Sequence, residues 1–479
     1  MIRTSGLSSS YPHVESMKYP KRSAMSPYTA ASVVIAVVAI TVRLVLISSG
    51  WPTTSSDEGT MGLAALHIFT GRDYPAFFYG QNYMGTSEAY IGAVLFHALG
   101  ASLLTLRIGL VLLYAIFLAS TYTISSVLYT KRVGCVSVLF LGLGSSAMLF
   151  KQLEASGGYP EILALGSMSF LIAAWLSIHE STAENPRREV VRYAAFFSWG
   201  VAVGLGLWSD FLIIPVVAAS AILLLACCRS ELRGRCGVFA ALGLVAGAFP
   251  LIKYNLSAAP GQDSLHVLLA QTSGHQALLE QVLGVFLVSF PNATGGATLC
   301  SIAPASVWPL SSHSSSQVYW CSLVHGGWTL GWASLWLLAL ADAALQVWSY
   351  ARSSGVRRPS RDTRQHAARS AARLLMLGSA GLSVLLFVLN PAAATTPRQS
   401  ARYLDGVLIA TPCVVAMLAM HSGYLGNALL KVRIAVGILR SVALLVITAV
   451  LLAGTVNAFR LVPEAVRWTP LSRHGSGQI

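Results

Sequence analysis

Eleven apolar stretches alternate with mostly short polar connections along the chain. Each approaches the roughly 20 apolar residues that a helix needs to cross a bilayer. The spans are expected at 28–48, 104–128, 133–150, 161–178, 193–209, 211–228, 236–252, 326–349, 374–390, 404–420 and 434–458. Two connections are long, 49–103 and 253–325. The first holds two apolar pieces too short to span. One runs through GTMGLAALHIF to a stop at Gly71, with Ser55, Ser56 or Asp57 available as its N-cap. The other, AYIGAVLFHALG, ends at Gly100. Both are expected as interfacial helices. The pattern therefore predicts an all-α polytopic membrane protein of about 11 spans, with no internal repeat of 20 to 50 residues.

Composition agrees: 55% of the 479 residues are hydrophobic and 10% charged, and the mean hydropathy is +0.64. The net charge of +14 sits in short clusters between apolar runs, where Lys and Arg act as topology signals rather than as a nucleic-acid surface. With the N-terminus cytoplasmic, the inner side collects Lys131 and Arg132, Arg187, Arg188 and Arg192, Arg229, Arg233 and Arg235, the run from Arg352 to Arg373, and Lys431 with Arg433. Arg43 and Arg440 fall inside spans.

The expected organisation follows. Residues 1–27 form a cytoplasmic segment, and 28–458 a transmembrane domain whose first span stays as a signal anchor. Within it lie external loops 49–103 and 253–325 and a basic cytoplasmic loop 350–373; 459–479 is an external tail. Cys300 and Cys321 share one external loop, where a disulfide is permitted. The external histidines match no zinc-ligand spacing, and no nucleotide-binding motif is present.

Candidate chemistry concentrates on the outer face. Asp57 and Glu58 are adjacent carboxylates at the start of the first interfacial piece; each is also a fitting acid for a helix first turn. Glu88 stands before the second piece, with the same plain alternative. Glu161, in SGGYPE, enters an apolar span, where an ionisable group marks a functional site by default; Asp210 is a weaker instance. Arg398, Arg402 and Tyr403, in TTPRQSARYLDG, offer phosphate recognition or an interfacial anchor.

These residues, in this order and on this side, resemble the GT-C glycosyltransferases. The nearest type is family 39, which includes protein O-mannosyltransferases and bacterial lipid A aminoarabinose transferases. DEGTMGLAALHIFTGRDYPAFFYGQNYMGTSEAY is similar to the first loop of that family, SGGYPE to its second acidic motif, and SARYLDGVLIATP to its late Arg-Tyr-Leu segment. The resemblance implies a GT-C type helical bundle and transfer of a sugar from a polyprenyl-phosphate donor to a glycan, lipid or protein acceptor on the extracytoplasmic face. It implies Asp57 as catalytic base and an acceptor or metal site at Glu58, Glu88 and Glu161, with Glu88 and Glu161 as ligands of any divalent cation. Arg402, with Arg398 and Tyr403, would hold the donor phosphate. No nucleotide cofactor is implied. The chain departs from many relatives in having Glu161 where they have Asp, and Ala89-Tyr90 where they have Lys-Pro-Pro, so the acceptor does not transfer with the resemblance. A secondary transporter or lipid flippase is the alternative class. It is disfavoured because the acids lie at the span boundaries rather than mid-span.

Overall fold

The computed structural model describes residues 25–179, 186–272, 274, 276–300, 316–354, 360–419 and 430–467. Among them the chain is helical, with no strand beyond one isolated bridge between Phe77 and Gly85. The helices used below are α1 (Pro27–Ser48), α2 (Ser56–Phe69), α3 (Ser87–Leu99), α4 (Leu103–Leu128), α5 (Lys131–Gly142), α6 (Ser146–Leu153), α7 (Tyr159–Ile178), α8 (Pro186–Ser209), α9 (Ile214–Cys227), α10 (Arg235–Gly247), α11 (Phe249–Ser257), α12 (Ser264–Thr272), α13 (Leu278–Gly284), α14 (Ser316–Ser354), α15 (Arg361–Val388), α16 (Thr411–Ala419) and α17 (Leu430–Arg467).

Among the described residues, eight helical segments are long and apolar enough to cross a membrane, and up to ten if each bent pair is one span. This is an integral membrane protein. The expected span 133–150 is the pair α5 and α6, bent by 84°, and 236–252 is the pair α10 and α11, bent by 65°. The expected span 211–228 is a shorter apolar helix, Phe211–Cys227, entered through a single 3-10 turn. The basic stretch 350–373, expected as a loop, is largely helical: α14 runs on to Ser354 and α15 starts at Arg361. Hydropathy marks where a helix leaves the lipid, and charged residues let it continue into water. Residues 1–24 and 468–479, most of the two expected tails, lie outside the described residues.

The principal core joins α4, α7, α9, α14 and α15, with Phe117, Phe170 and Met376 fully enclosed. Helices α8 and α10 pack backbone to backbone. A Cβ on Gly200 would stand 2.2 Å from the Ala240 carbonyl oxygen, and one on Gly243 would stand 2.1 Å from that of Phe197. Such small-residue spacing is how helices gain dispersion contact in lipid, where no hydrophobic force drives them together.

Within the first long connection, α2 and α3 pack on each other and on the start of α4 through Met61, Ala65, Ala89, Phe96 and Leu106. Ser55 caps α2 by accepting from the Glu58 N–H. Cys300 and Cys321 form a disulfide with Cα atoms 5.4 Å apart, beside the His325 ring, which lies between the carbonyls of Leu287 (2.8 Å) and Cys300 (2.9 Å). Alkylated without reductant, the protein is expected to leave two cysteines unmodified by intact mass. Full labelling under denaturing, non-reducing conditions would rule the bridge out.

Candidate active site

The short turn from Glu154 to Gly158, between α6 and α7, gathers the acidic residues. Its Ala155 N–H donates to Glu58 Oε1 (3.2 Å), and its Gly157 N–H donates to Glu88 Oε2 (3.2 Å). Gly157 and Gly158 hold φ of 94° and 80°, a region that side-chain-bearing residues rarely enter. A Cβ on Gly157 would meet Met84 Sδ at 2.7 Å, and one on Gly158 would meet Asp210 Cβ at 2.8 Å. Glycine thus lets the turn lie directly on the neighbouring segments.

Glu58 is fully buried and engaged by Arg107 through two hydrogen bonds, Nε to Oε1 at 2.8 Å and Nη2 to Oε2 at 2.6 Å. Its oxygens therefore serve Arg107 and the turn. Asp57, one residue earlier, is exposed, and its carboxylate makes no hydrogen bond among the described residues. Successive helix residues are about 100° apart around the axis. At the start of α2 that rotation turns one carboxylate into the core and the other outward.

Glu88 and Glu161 meet. The Ser87 hydroxyl donates to Glu161 Oε1 (2.5 Å) and lies 2.9 Å from the Ser209 hydroxyl, while the Gly85 N–H donates to the Ser209 carbonyl (3.0 Å). These bonds strap the start of α3 to the end of α8. Glu88 Oε1 and Glu161 Oε2 are buried without a hydrogen-bond partner among the described residues. Burial above all, then the facing Glu161 carboxyl, pushes Glu88 well above the usual carboxylate range. Among the described residues no three His, Cys, Asp or Glu side chains cluster to hold a metal. The two orphaned oxygens do fit the mode in which a divalent cation takes one or two carboxylates and completes its shell from water and substrate phosphate.

Arg402 sits in a 3-10 stretch, Gln399–Ala410, where helix had been expected only from 404. Three residues per turn put Arg402 and Asp405 on one ridge. The guanidinium lies over the Tyr159 ring (4.7 Å to the centroid) and near that of Tyr403 (5.9 Å), and the two rings stack at 6.4 Å. Arg402 Nε is buried and has no hydrogen-bond partner. Arg398 is exposed. Lys151 pairs with Glu154 at 2.9 Å, and together with Arg402 it faces the buried Asp405.

Asp210 accepts from the Leu212 N–H (2.8 Å). Burial, partly offset by that bond and by Arg402, pushes it up to about 7. Unfolded, an aspartate ionises at about 4; because folding raises that value, the folded state binds the proton more tightly. The stabilising contribution is present below about pH 4 and is lost as pH rises toward 7. Thermal stability in detergent should fall across that window, and Asp210→Asn should flatten the slope. An unchanged slope in that variant would assign the effect to another group.

The structure thus brings Glu58, Glu88, Glu161, Asp210 and, through Tyr159, Arg402 around one turn, with Asp57 at its exposed margin. Arg107, Asp405 and Tyr159 join the site beyond the residues expected from the sequence. Arg107 and Asp405 carried the same signal as Glu161, an ionisable group at or inside an apolar span.

No family profile matches the chain, and no curated protein matches it. Among solved structures it is similar to the archaeal oligosaccharyltransferase from Archaeoglobus fulgidus in complex with an inhibitory peptide and a dolichol-phosphate. Identity is 14% and the TM-score 0.46, over 90% of this chain and 56% of that one. It is also similar to ArnT from Cupriavidus metallidurans bound to undecaprenyl phosphate, at 15% identity and a TM-score of 0.40, over 81% of this chain and 77% of that one. Both neighbours are GT-C superfamily membrane glycosyltransferases. The chain spans little more than half the length of the oligosaccharyltransferase.

Proposed function

We propose that this protein is a membrane glycosyltransferase that moves one sugar from a polyprenyl-phosphate donor to an acceptor on the extracytoplasmic face, with inversion at the anomeric carbon. The observation that carries this reading is Arg402, whose buried Nε has no partner and whose guanidinium rests on Tyr159, two residues from Glu161. A planar donor held against an aromatic, with its Nε–H unpaired among the described residues, supports recognition of a phosphate oxygen. A site at a bundle end suits a lipid-linked donor, because the prenyl tail stays in the bilayer while the bond breaks at its surface.

Asp57 is the general base. Exposed and unpaired among the described residues, it can accept a proton from an incoming acceptor hydroxyl. That oxygen then displaces the polyprenyl phosphate from the anomeric carbon, and Arg402 stabilises the departing charge. Glu58 positions rather than reacts, since Arg107 and the Ala155 N–H fix its carboxylate and with it the first turn of α2. Tyr403 shapes the wall beside Arg402, and Arg398 adds positive charge outside it. A divalent cation, where the reaction uses one, would be held by Glu88 and Glu161 and would supply charge neutralisation at the donor phosphate.

The test is purified protein with a radiolabelled polyprenyl-phosphate sugar and a mixed acceptor extract. Release of polyprenyl phosphate is expected. Arg402→Gln should raise the donor KM roughly tenfold to a hundredfold, the loss of one charge-assisted hydrogen bond. A donor KM unchanged in that variant overturns the assignment of Arg402, and no release with any polyprenyl-linked sugar overturns the reading as a whole.

A further inference from the structure

A second polar cluster lies far from the carboxylates, in a cavity of about 820 Å3. Pockets for small ligands run from roughly 300 to 1,000 Å3. Its walls are apolar: Trp332 and Leu335 from α14, Met417 from α16, and Leu439, Ala443 and Ile447 from α17. Helix α17 is the least buried of the candidate spans, so the cavity is bounded by a helix that largely faces lipid.

The charged residues lining it are Asp342, Arg373 and Arg440. Arg373 donates through Nε to the Leu128 carbonyl (3.0 Å) and through Nη1 to Gln346 Oε1 (3.3 Å), and it lies over the Tyr129 ring at 4.2 Å. Gln346 Nε2 in turn donates to Asp342 (2.8 Å). Two guanidinium groups and one carboxylate give the lining a formal surplus of one positive charge.

This cluster stands at the opposite end of the bundle from the Arg402 site. Tyr129 follows Arg107 by 22 positions along α4, about 33 Å at 1.5 Å per residue. Arg440 precedes Ala458, which packs with Leu46, Ile47 and Trp51 where the first long connection begins, by 18 positions, about 27 Å. A donor phosphate held by Arg402 does not reach it.

We propose that this cavity binds one membrane phospholipid with an anionic headgroup, its acyl chains lying along the α14–α17 wall and its phosphate directed toward Arg440 and Arg373. Charge selects the occupant: basic pockets between spanning helices favour anionic headgroups, and the surplus positive charge matches a single phosphodiester. The lipid fills a seam that α17 leaves open and braces that helix against α14.

The experiment uses the full chain purified in neutral detergent, titrated with phosphatidylglycerol or with phosphatidylcholine of the same acyl chains, with bound lipid read by native mass spectrometry. Arg373 supports the Leu128 carbonyl, so Arg440 is the residue to vary. Wild type is expected to retain phosphatidylglycerol in preference to phosphatidylcholine. Arg440→Gln should weaken phosphatidylglycerol binding about fivefold, the contribution of one basic residue. Ala443→Trp, which fills the cavity, should abolish binding of both lipids while the protein stays monodisperse. Equal retention of the two lipids, or wild-type affinity in both variants, overturns the proposal. So does displacement of phosphatidylglycerol by undecaprenyl phosphate at lower concentration, which would make the cavity a prenyl-chain site. No sugar donor is present, so the outcome is independent of the catalytic reading.

Discussion

Arg107→Leu is expected to destabilise the protein by roughly 3–5 kcal/mol, the effect of stranding one charge of a buried pair. Glu58 is fully enclosed, and Arg107 is 1% exposed, so no water reaches the carboxylate that would be left behind. The Glu58→Met/Arg107→Leu double variant should recover most of the loss, since a buried ion pair replaced by apolar side chains of similar size is often close to neutral. Unfolding of the purified proteins by titration with a denaturing detergent, in one mixed-micelle system, gives both numbers. A single variant within 1 kcal/mol of wild type would show that the pair does not hold α2 to α4. The double variant separates folding from positioning: it should fold yet turn over slowly, because Ala155 loses its acceptor and the turn that carries Gly157 and Tyr159 loosens.

The largest effect on rate is expected from Asp57→Asn, a fall in kcat of about 10²–10⁴ as proton acceptance is lost. Stability should barely move, because Asp57 is exposed and unpaired among the described residues. Glu58→Gln next to it should show the reverse balance, with stability lost first. Steady-state release of polyprenyl phosphate together with unfolding titrations of the two variants separates the roles. Wild-type kcat in Asp57→Asn would remove the base from the mechanism and shift attention to Glu88 and Glu161. A pH profile distinguishes these groups as well. Burial raises Glu88 well above the ordinary range, so a base at that position would gain activity as pH rises.

The acids and the late arginine could be picked out of the sequence because each breaks an apolar background. Their division of labour could not. Asp57 and Glu58 are neighbours of the same chemistry, and only the rotation of α2 against α4 sends one to Arg107 and the other outward. Glu88 reads as an acid at a helix start and Glu161 as an ionisable group entering a span, and their meeting depends on Ser87 and Ser209 joining α3 to α8 across 122 positions. The region that organises the site also differs from what the sequence suggested. The loop 49–103 carries the most acids, but the five residues from Glu154 to Gly158, with two glycines at positive φ, hold Glu58 and Glu88 in place.

Hydropathy summed over contiguous residues is a local property, so the chain alone determined that this is a membrane protein of many helices and roughly where each begins. It also located the polar residues at the span ends and allowed a bridge between Cys300 and Cys321, although Cys321 lies within α14 rather than in a loop. Which carboxylate is paired, which is orphaned and which is open to an acceptor were decided only by the bundle. A buried charge takes its state from the nearest partner in space, and those partners, Arg107 for Glu58 and Tyr159 for Arg402, come from helices far away in the sequence.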